Sequence, residues 1–202
     1  MIEVEFLGTG TSTGVPQLGC ECEVCKSADP RDKRLRCSAI VRTQGVSLLI
    51  DCGPDFRQQM LRASDLHLDA LLITHSHYDH VGGMDDLRPY CREIPFPVYA
   101  QPNVVADIKA RIPYCFREHL YPGVPTFDMH PLAGEPFEVK GVRVEPLPVM
   151  HYKLPIFGYR IGNLAYITDA KTIPPSTMAR LQGIDTLITV SYTHLTLPTK
   201  LE

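Results

Sequence analysis

No stretch of these 202 residues is apolar for long enough to cross a bilayer, and neither sign of charge prevails. Twenty Lys and Arg stand against 23 Asp and Glu, a formal net charge of -3 with a pI near 6.2. A membrane-spanning helix needs about 20 consecutive apolar residues, so none is expected here. The charge balance argues against broad electrostatic attraction to nucleic acid. There is no internal repeat and no low-complexity segment, which excludes a solenoid or a linker-rich chain. A signal-peptide pattern is missing as well: Met1-Ile2-Glu3-Val4-Glu5-Phe6-Leu7 alternates apolar and acidic residues, as a strand does. Finally, the cysteines do not come in an even number. There are seven, and several have apolar or metal-like neighbours, so a reduced, cytoplasmic protein is expected. A chain of this length buries a sizeable core as one domain.

What the chain has in unusual density is metal-ligand side chains. His75-Ser76-His77-Tyr78-Asp79-His80 places four in six residues, directly after the apolar run Leu71-Leu72-Ile73. That run has the pattern of a buried strand. His75 and His77 are two apart, so in extended backbone they leave the same side. Asp79 and His80 lie past the bend, where the chain can turn them toward a second ion. One metal takes three or four protein ligands, so this stretch with two further positions suffices for two metals.

A second cluster, Gly19-Cys20-Glu21-Cys22-Glu23-Val24-Cys25, spaces three thiols as C-x-C-x-x-C. Three thiols this close cannot all pair as disulfides. Thiolates in a tight turn suit a structural zinc with tetrahedral coordination, its fourth ligand coming from elsewhere.

The His/Asp stretch is the pattern that defines the metallo-β-lactamase superfamily, which this chain resembles. With the Cys turn and the loop Gly8-Thr9-Gly10-Thr11-Ser12-Thr13-Gly14-Val15-Pro16, residues from about 2 to 189 look like the PhnP branch of that superfamily, phosphodiesterases that act on cyclic ribose phosphates. The resemblance implies an α/β fold, the αββα sandwich, and a pair of catalytic divalent metals, zinc or manganese. In it His75, His77 and His151 bind one ion, Asp79 and His80 the other, and Asp169 bridges them. Asp79 and Asp169 also position the attacking hydroxide held between the metals. Asp51, after Leu48-Leu49-Ile50, corresponds to the strand-end Asp that braces the ligand turn. Cys20, Cys22 and Cys25 correspond to a structural zinc site completed by a late His.

The expected substrate is a small cyclic phosphodiester such as a phosphoribosyl cyclic phosphate. Transfer-RNA 3′-processing endonucleases share the His/Asp motif, but usually lack the Cys triplet and carry a basic arm. Relatives in the pyrroloquinoline quinone pathway share the triplet. A third alternative is a metal-holding fold without catalysis. The resemblance fails in Ser191-Tyr192-Thr193-His194-Leu195-Thr196-Leu197-Pro198-Thr199-Lys200. Residues 1–190 are therefore expected to be a domain incomplete at its C-terminus, and 191–202 a non-native tail in which His194 is no ligand. Such a fragment is expected to hold the second metal weakly and turn over poorly.

Patterning predicts strands near 2–7, 38–43, 46–51, 69–74, 97–100, 142–149, 157–161, 164–168 and 185–189, with helices near 55–63, 103–111 and 174–182. Segment 102–135 reads as a Pro-rich excursion on the surface, placed to serve as a lid or a homodimer contact. Arg31-Asp32-Lys33-Arg34-Leu35-Arg36 is locally basic and reads as a solvated loop within reach of a substrate phosphate. Gly82-Gly83 is expected to let the backbone pass close to the metals.

Overall fold

Two β-sheets packed face to face carry the chain. The computed structural model describes residues 1–189; the expectations for 191–202 and for His194 fall outside the described residues. The first sheet is β1 (Ile2–Gly8), β2 (Ser38–Thr43), β3 (Val46–Ile50), β4 (Ala70–Leu72), β5 (Phe96–Ala100) and β6 (Phe127–Pro131), neighbours in that order. β3 to β6 run parallel, and β1 and β2 are antiparallel additions. The second sheet runs in the order β11 (Thr186–Thr189), β10 (Leu164–Ile167), β9 (Leu154–Ile161), β8 (Val142–His151), β7 (Phe137–Val139).

The central strands of the first sheet are near-continuous apolar runs because both of their faces are covered. Ile40, Leu49 and Leu71 point to one side, where they pack with Phe56, Met60, Leu87, Val104 and Ile108. Val41, Leu48, Ile50 and Leu72 point to the other, where they meet Val144, Tyr159, Ile161 and Tyr166 of the second sheet. The outer layer over the first sheet includes α2 (Phe56–Met60) and α4 (Pro102–Arg111), whose Val104, Val105 and Ile108 form its buried face. Behind the second sheet, Leu147, Val149, Ile156 and Ile167 are covered by Ile173, Leu181 and Ile184 around α5 (Pro175–Arg180). Helix, sheet, sheet, helix is the expected sandwich. Burying each large aliphatic in it contributes about 1.5–3 kcal/mol.

Two departures from the sequence reading have local causes. Segment 102–135 is not simply an excursion, because beyond the expected helix α4 it holds β6, which pairs in parallel with β5. As an edge strand with only partly buried side chains, β6 lacks the apolar signal of its neighbours. β9 begins at Leu154, ahead of the expected 157, because Pro155 faces Met150 within the ladder and leaves a two-residue turn, Tyr152-Lys153, after His151.

Among the described residues no helix is long and apolar enough to cross a membrane. The basic stretch 31–36 is largely occupied locally: Arg31 pairs with Asp29 at 2.6 Å, Lys33 donates to the Ser27 carbonyl, and Arg36 pairs with Asp55 at 2.8 Å.

Away from the site, the hairpin turn Lys140-Gly141 has φ of 48° and 83°. It sets Lys140 Nζ 2.5 Å from the buried Asp69 carboxylate, which also accepts from the Ser47 amide at 2.7 Å. Burial opposes ionisation of Asp69, but Lys140, the Ser47 amide and His67 together hold its carboxyl below the ordinary value. A depressed carboxyl adds stability that is present above the unfolded value, about 3.9, and is lost as pH falls through the folded one. Lys140→Met is therefore expected to lower the melting temperature by a few degrees at pH 7, an exposed lysine contributing about 1 kcal/mol or less. The gap to the parent should close as pH drops below about 4. A gap that stays constant down to pH 2 contradicts this account.

Candidate metal centre

The candidate ligands sit at the carboxyl ends of strands from both sheets. Asp51 follows β3, His75 lies three residues past β4, His151 is the last residue of β8, and Asp169 is two past β10. Asp51 and Asp169 have positive φ, 60° and 53°. For residues other than glycine this conformation is uncommon, and it marks positions where the chain turns sharply to aim a side chain. His77 caps α3 (Tyr78–Val81), which carries Asp79 and His80. The second sheet grips the ligand loop directly, since Tyr159 Oη donates to the Ile73 carbonyl at 2.6 Å and the Phe157 amide donates to that of Thr74 at 3.1 Å.

Residues 51–53 hold α3 in place. The Cys52 amide donates to the His80 carbonyl at 2.7 Å, and the Gly83 amide to the Cys52 carbonyl at 2.9 Å. A Cβ on Gly53 would lie 2.0 Å from the Asp79 carbonyl oxygen, and one on Gly83 2.0 Å from that of Gly53. Gly83, after the ligand turn, thus has no room for a side chain against this backbone.

The donor atoms converge in two groups that share one histidine. His75, His77 and His151 form the first; His75, His80 and Asp169 form the second, with all ligand atoms within each group inside 4.8 Å of one another. His75 Nε2 is 3.0 Å from His77 Nδ1, and the His75 ring centroid is 4.2 Å from that of His80 and 5.6 Å from that of His151. Asp79 is not part of either triplet, but its carboxylate lies 3.2 Å from His80 Nε2, and that of Asp169 lies 3.0 Å from the same nitrogen.

Hydrogen bonds behind the donors settle which nitrogen faces the centre. His80 Nδ1 meets Asp51 at 2.7 Å, which leaves Nε2 toward the two carboxylates. Thr74 Oγ1 donates to Asp51 at 2.8 Å and accepts from His75 Nδ1 at 3.0 Å, which leaves His75 Nε2 toward the centre. One fully buried carboxylate, Asp51, therefore orients both imidazoles, directly and through Thr74. Thr74 was not picked out from sequence. Its only signal is a short hydroxyl between an apolar strand and the first His.

The electrostatics are those of a cation site. Burial, with His80 and His77 close by, pushes His75 down to about 3, so it is a neutral imidazole with a lone pair to offer. Burial opposes charge on His80 also, but Asp51, Asp169 and Asp79 outweigh it and raise the imidazole well above its ordinary value. Asp169 is held at about 2, against its burial, by His80 first and then by His75 and His151. Positive charge between His80 Nε2 and two carboxylates is strongly favoured, and a divalent ion is a stronger form of the same charge. Imidazoles, which give up their proton to a bound ion, and carboxylates in sets of three are donors zinc and manganese take.

The cysteines also meet. Sγ atoms of Cys20, Cys22 and Cys25 lie within 4.8 Å of one another. Cys22 caps α1 (Glu23–Lys26) and accepts from the Cys25 amide at 3.5 Å, which lowers its thiol, while Cys25 is buried and accepts from the Gln17 amide at 3.2 Å.

An αββα sandwich with His and Asp donors gathered at the strand ends defines a metallo-β-lactamase fold. Residues 47–195 match the family described as the Beta-lactamase superfamily domain, and the chain belongs to that family. Among solved structures it is similar to a diphosphatase from the PhnP family, 39% identical with a TM-score of 0.84, covering 93% of this chain and 73% of that one. Zn(2+)-bound PqqB from Methylobacterium extorquens is 27% identical with a TM-score of 0.75, over 94% and 72%. A curated protein of Porphyromonas gingivalis named octanoyltransferase is 52% identical over 170 residues, 83% of this chain but 35% of that protein. Coenzyme PQQ synthesis protein B of Methylorubrum populi is 37% identical over 123 residues, which cover 40% of its length. The chain thus spans well under half of the curated relatives it matches.

Proposed function

We propose that this chain carries the metal-binding and catalytic core of a phosphodiester hydrolase that acts on a small, cyclic phosphodiester. The observation that carries the reading is the pair of donor groups joined at His75. Likeness to a PhnP-family diphosphatase over 93% of the chain supports it. His75, His77 and His151 would hold one ion, Asp79 and His80 the other, with Asp169 shared between them. Divalent cations bound here, zinc or manganese, supply a water of lowered pKa and offset charge on phosphoryl oxygens. The chain's own residues do the rest. Asp79 and Asp169 offer carboxylate oxygens close to His80 Nε2, where they accept the proton of an attacking water in a hydrogen bond and fix its direction. Asp51 and Thr74 keep the imidazoles from rotating. The octanoyltransferase name belongs to a protein of which the matched stretch is 35%, so it carries no argument about this site.

The test is turnover of bis(p-nitrophenyl) phosphate by the chain with added zinc or manganese, then with a chelator, and of a cyclic nucleotide against a precursor tRNA. Slow, chelator-sensitive turnover of the first two is expected. Cleavage of the tRNA alone, or none with any metal, overturns the reading.

Cys20, Cys22 and Cys25 are proposed to bind a zinc that stabilises the turn after residue 16 without joining the chemistry. Cys22→Ser is expected to remove close to one zinc per chain and to lower thermal stability more than turnover per folded molecule. Unchanged zinc content in that variant rules the role out.

A further inference from the structure

Beside His151 stands a side chain that neither metal binding nor the core accounts for. Tyr152 opens the two-residue turn between β8 and β9, where His151 pairs with Leu154. Its φ is 55°. The first position of such a hairpin turn favours Gly, Asn or Asp, and a bulky residue there is strained. Burial does not compensate, because Tyr152 is 74% exposed. The ring lies 6.0 Å from that of His151, and Lys171 Nζ sits 5.6 Å from its centroid, within cation–π range. Lys171 is placed independently. Its amide donates to the Met150 carbonyl at 2.7 Å, and Met150 and Thr172 exchange bonds at 2.9 and 3.1 Å, so the loop after Asp169 is stitched to the strand that ends in His151. An exposed aromatic face thus stands next to one candidate ligand, at a cost in turn geometry, and an exposed ammonium is carried on a backbone fixed two residues after another.

We propose that Tyr152 and Lys171 form a substrate clamp, in which the Tyr152 ring stacks on a planar base and Lys171 meets an anionic oxygen of the same molecule. This rests on the phosphodiesterase reading and narrows it. The substrate class is a phosphate ester bearing a nucleobase-like ring, in preference to the bare sugar phosphate. One ammonium covers only part of a ring this exposed, so a face remains for stacking. Stacking is tolerant of base identity, so the clamp selects for a ring and not for one base. Neither residue is a metal donor, so both act on substrate affinity and not on the ions.

The experiment titrates adenosine monophosphate and ribose 5-phosphate into the manganese-loaded full chain by calorimetry, with hydrolysis of bis(p-nitrophenyl) phosphate measured in parallel. The parent should bind the nucleotide about tenfold more tightly than the sugar phosphate. Tyr152→Ala should abolish that preference and raise KM with kcat within twofold, while Tyr152→Phe keeps it. Lys171→Gln should weaken both ligands alike. Tyr152→Gly should lose the preference and yet melt at a higher temperature than the parent, because it relieves the turn. A binding preference without any diester hydrolysis leaves the clamp standing and removes the phosphodiesterase reading. Equal affinity of the parent for the two ligands, or a preference that survives Tyr152→Ala, overturns the clamp.

Discussion

Asp169→Asn is expected to lower phosphodiester turnover by on the order of 10³-fold and to reduce bound metal by close to one equivalent. The substitution is chosen for its backbone. Asp169 sits at φ 53°, a conformation that asparagine tolerates, so shape is kept while the charge is removed. That charge faces His80 at 3.0 Å and His75 at 3.5 Å, the histidine common to both donor groups. Without it the second ion keeps only His80 and Asp79 of its proposed donors, and the direction of the attacking water is lost. Metal per chain by mass spectrometry and kcat on bis(p-nitrophenyl) phosphate are the two readouts. Should both match the parent, Asp169 is not a ligand and the proposed division of donors fails.

Asp51→Ala should have the largest effect on folding. Its carboxylate is fully buried and accepts from Thr74 N at 2.8 Å, from Thr74 Oγ1 and from His80 Nδ1 at 2.7 Å. Burial raises this carboxyl, with His80 and Thr74 pulling the other way. Removing one side of a buried pair leaves the other uncompensated, at a cost of about 3–5 kcal/mol. In a domain of this size that is a fall of roughly 10 °C or more in melting temperature. Both imidazoles then lose their orientation, so metal affinity should weaken about 10- to 100-fold even in the folded fraction. Calorimetry and metal titration read the two effects separately. Loss of stability with unaltered metal affinity would falsify the claim that Asp51 orients the ligands.

Sequence alone made most of the strands legible and supplied the candidate donors. Apolar runs such as Leu48-Leu49-Ile50 and Leu71-Leu72-Ile73 are legible because strands covered on both faces exclude polar residues, and the burst of His and Asp after the second run is legible because such side chains are rare in so small a window. The late His151 and Asp169 were found only through resemblance, since each is a single residue at a strand end, about 70 and 90 positions further on. Tertiary structure decided what no local pattern contains. It made His75 common to two donor groups, linked Asp51 to His75 through Thr74, and turned Gly53 and Gly83 into a backbone lock on α3. It also showed that 127–131 is a strand, because an edge strand has one partner and little burial and so leaves almost no apolar signature. Convergence of donors is a property of two sheets meeting, and spacing along one chain cannot encode a distance between them.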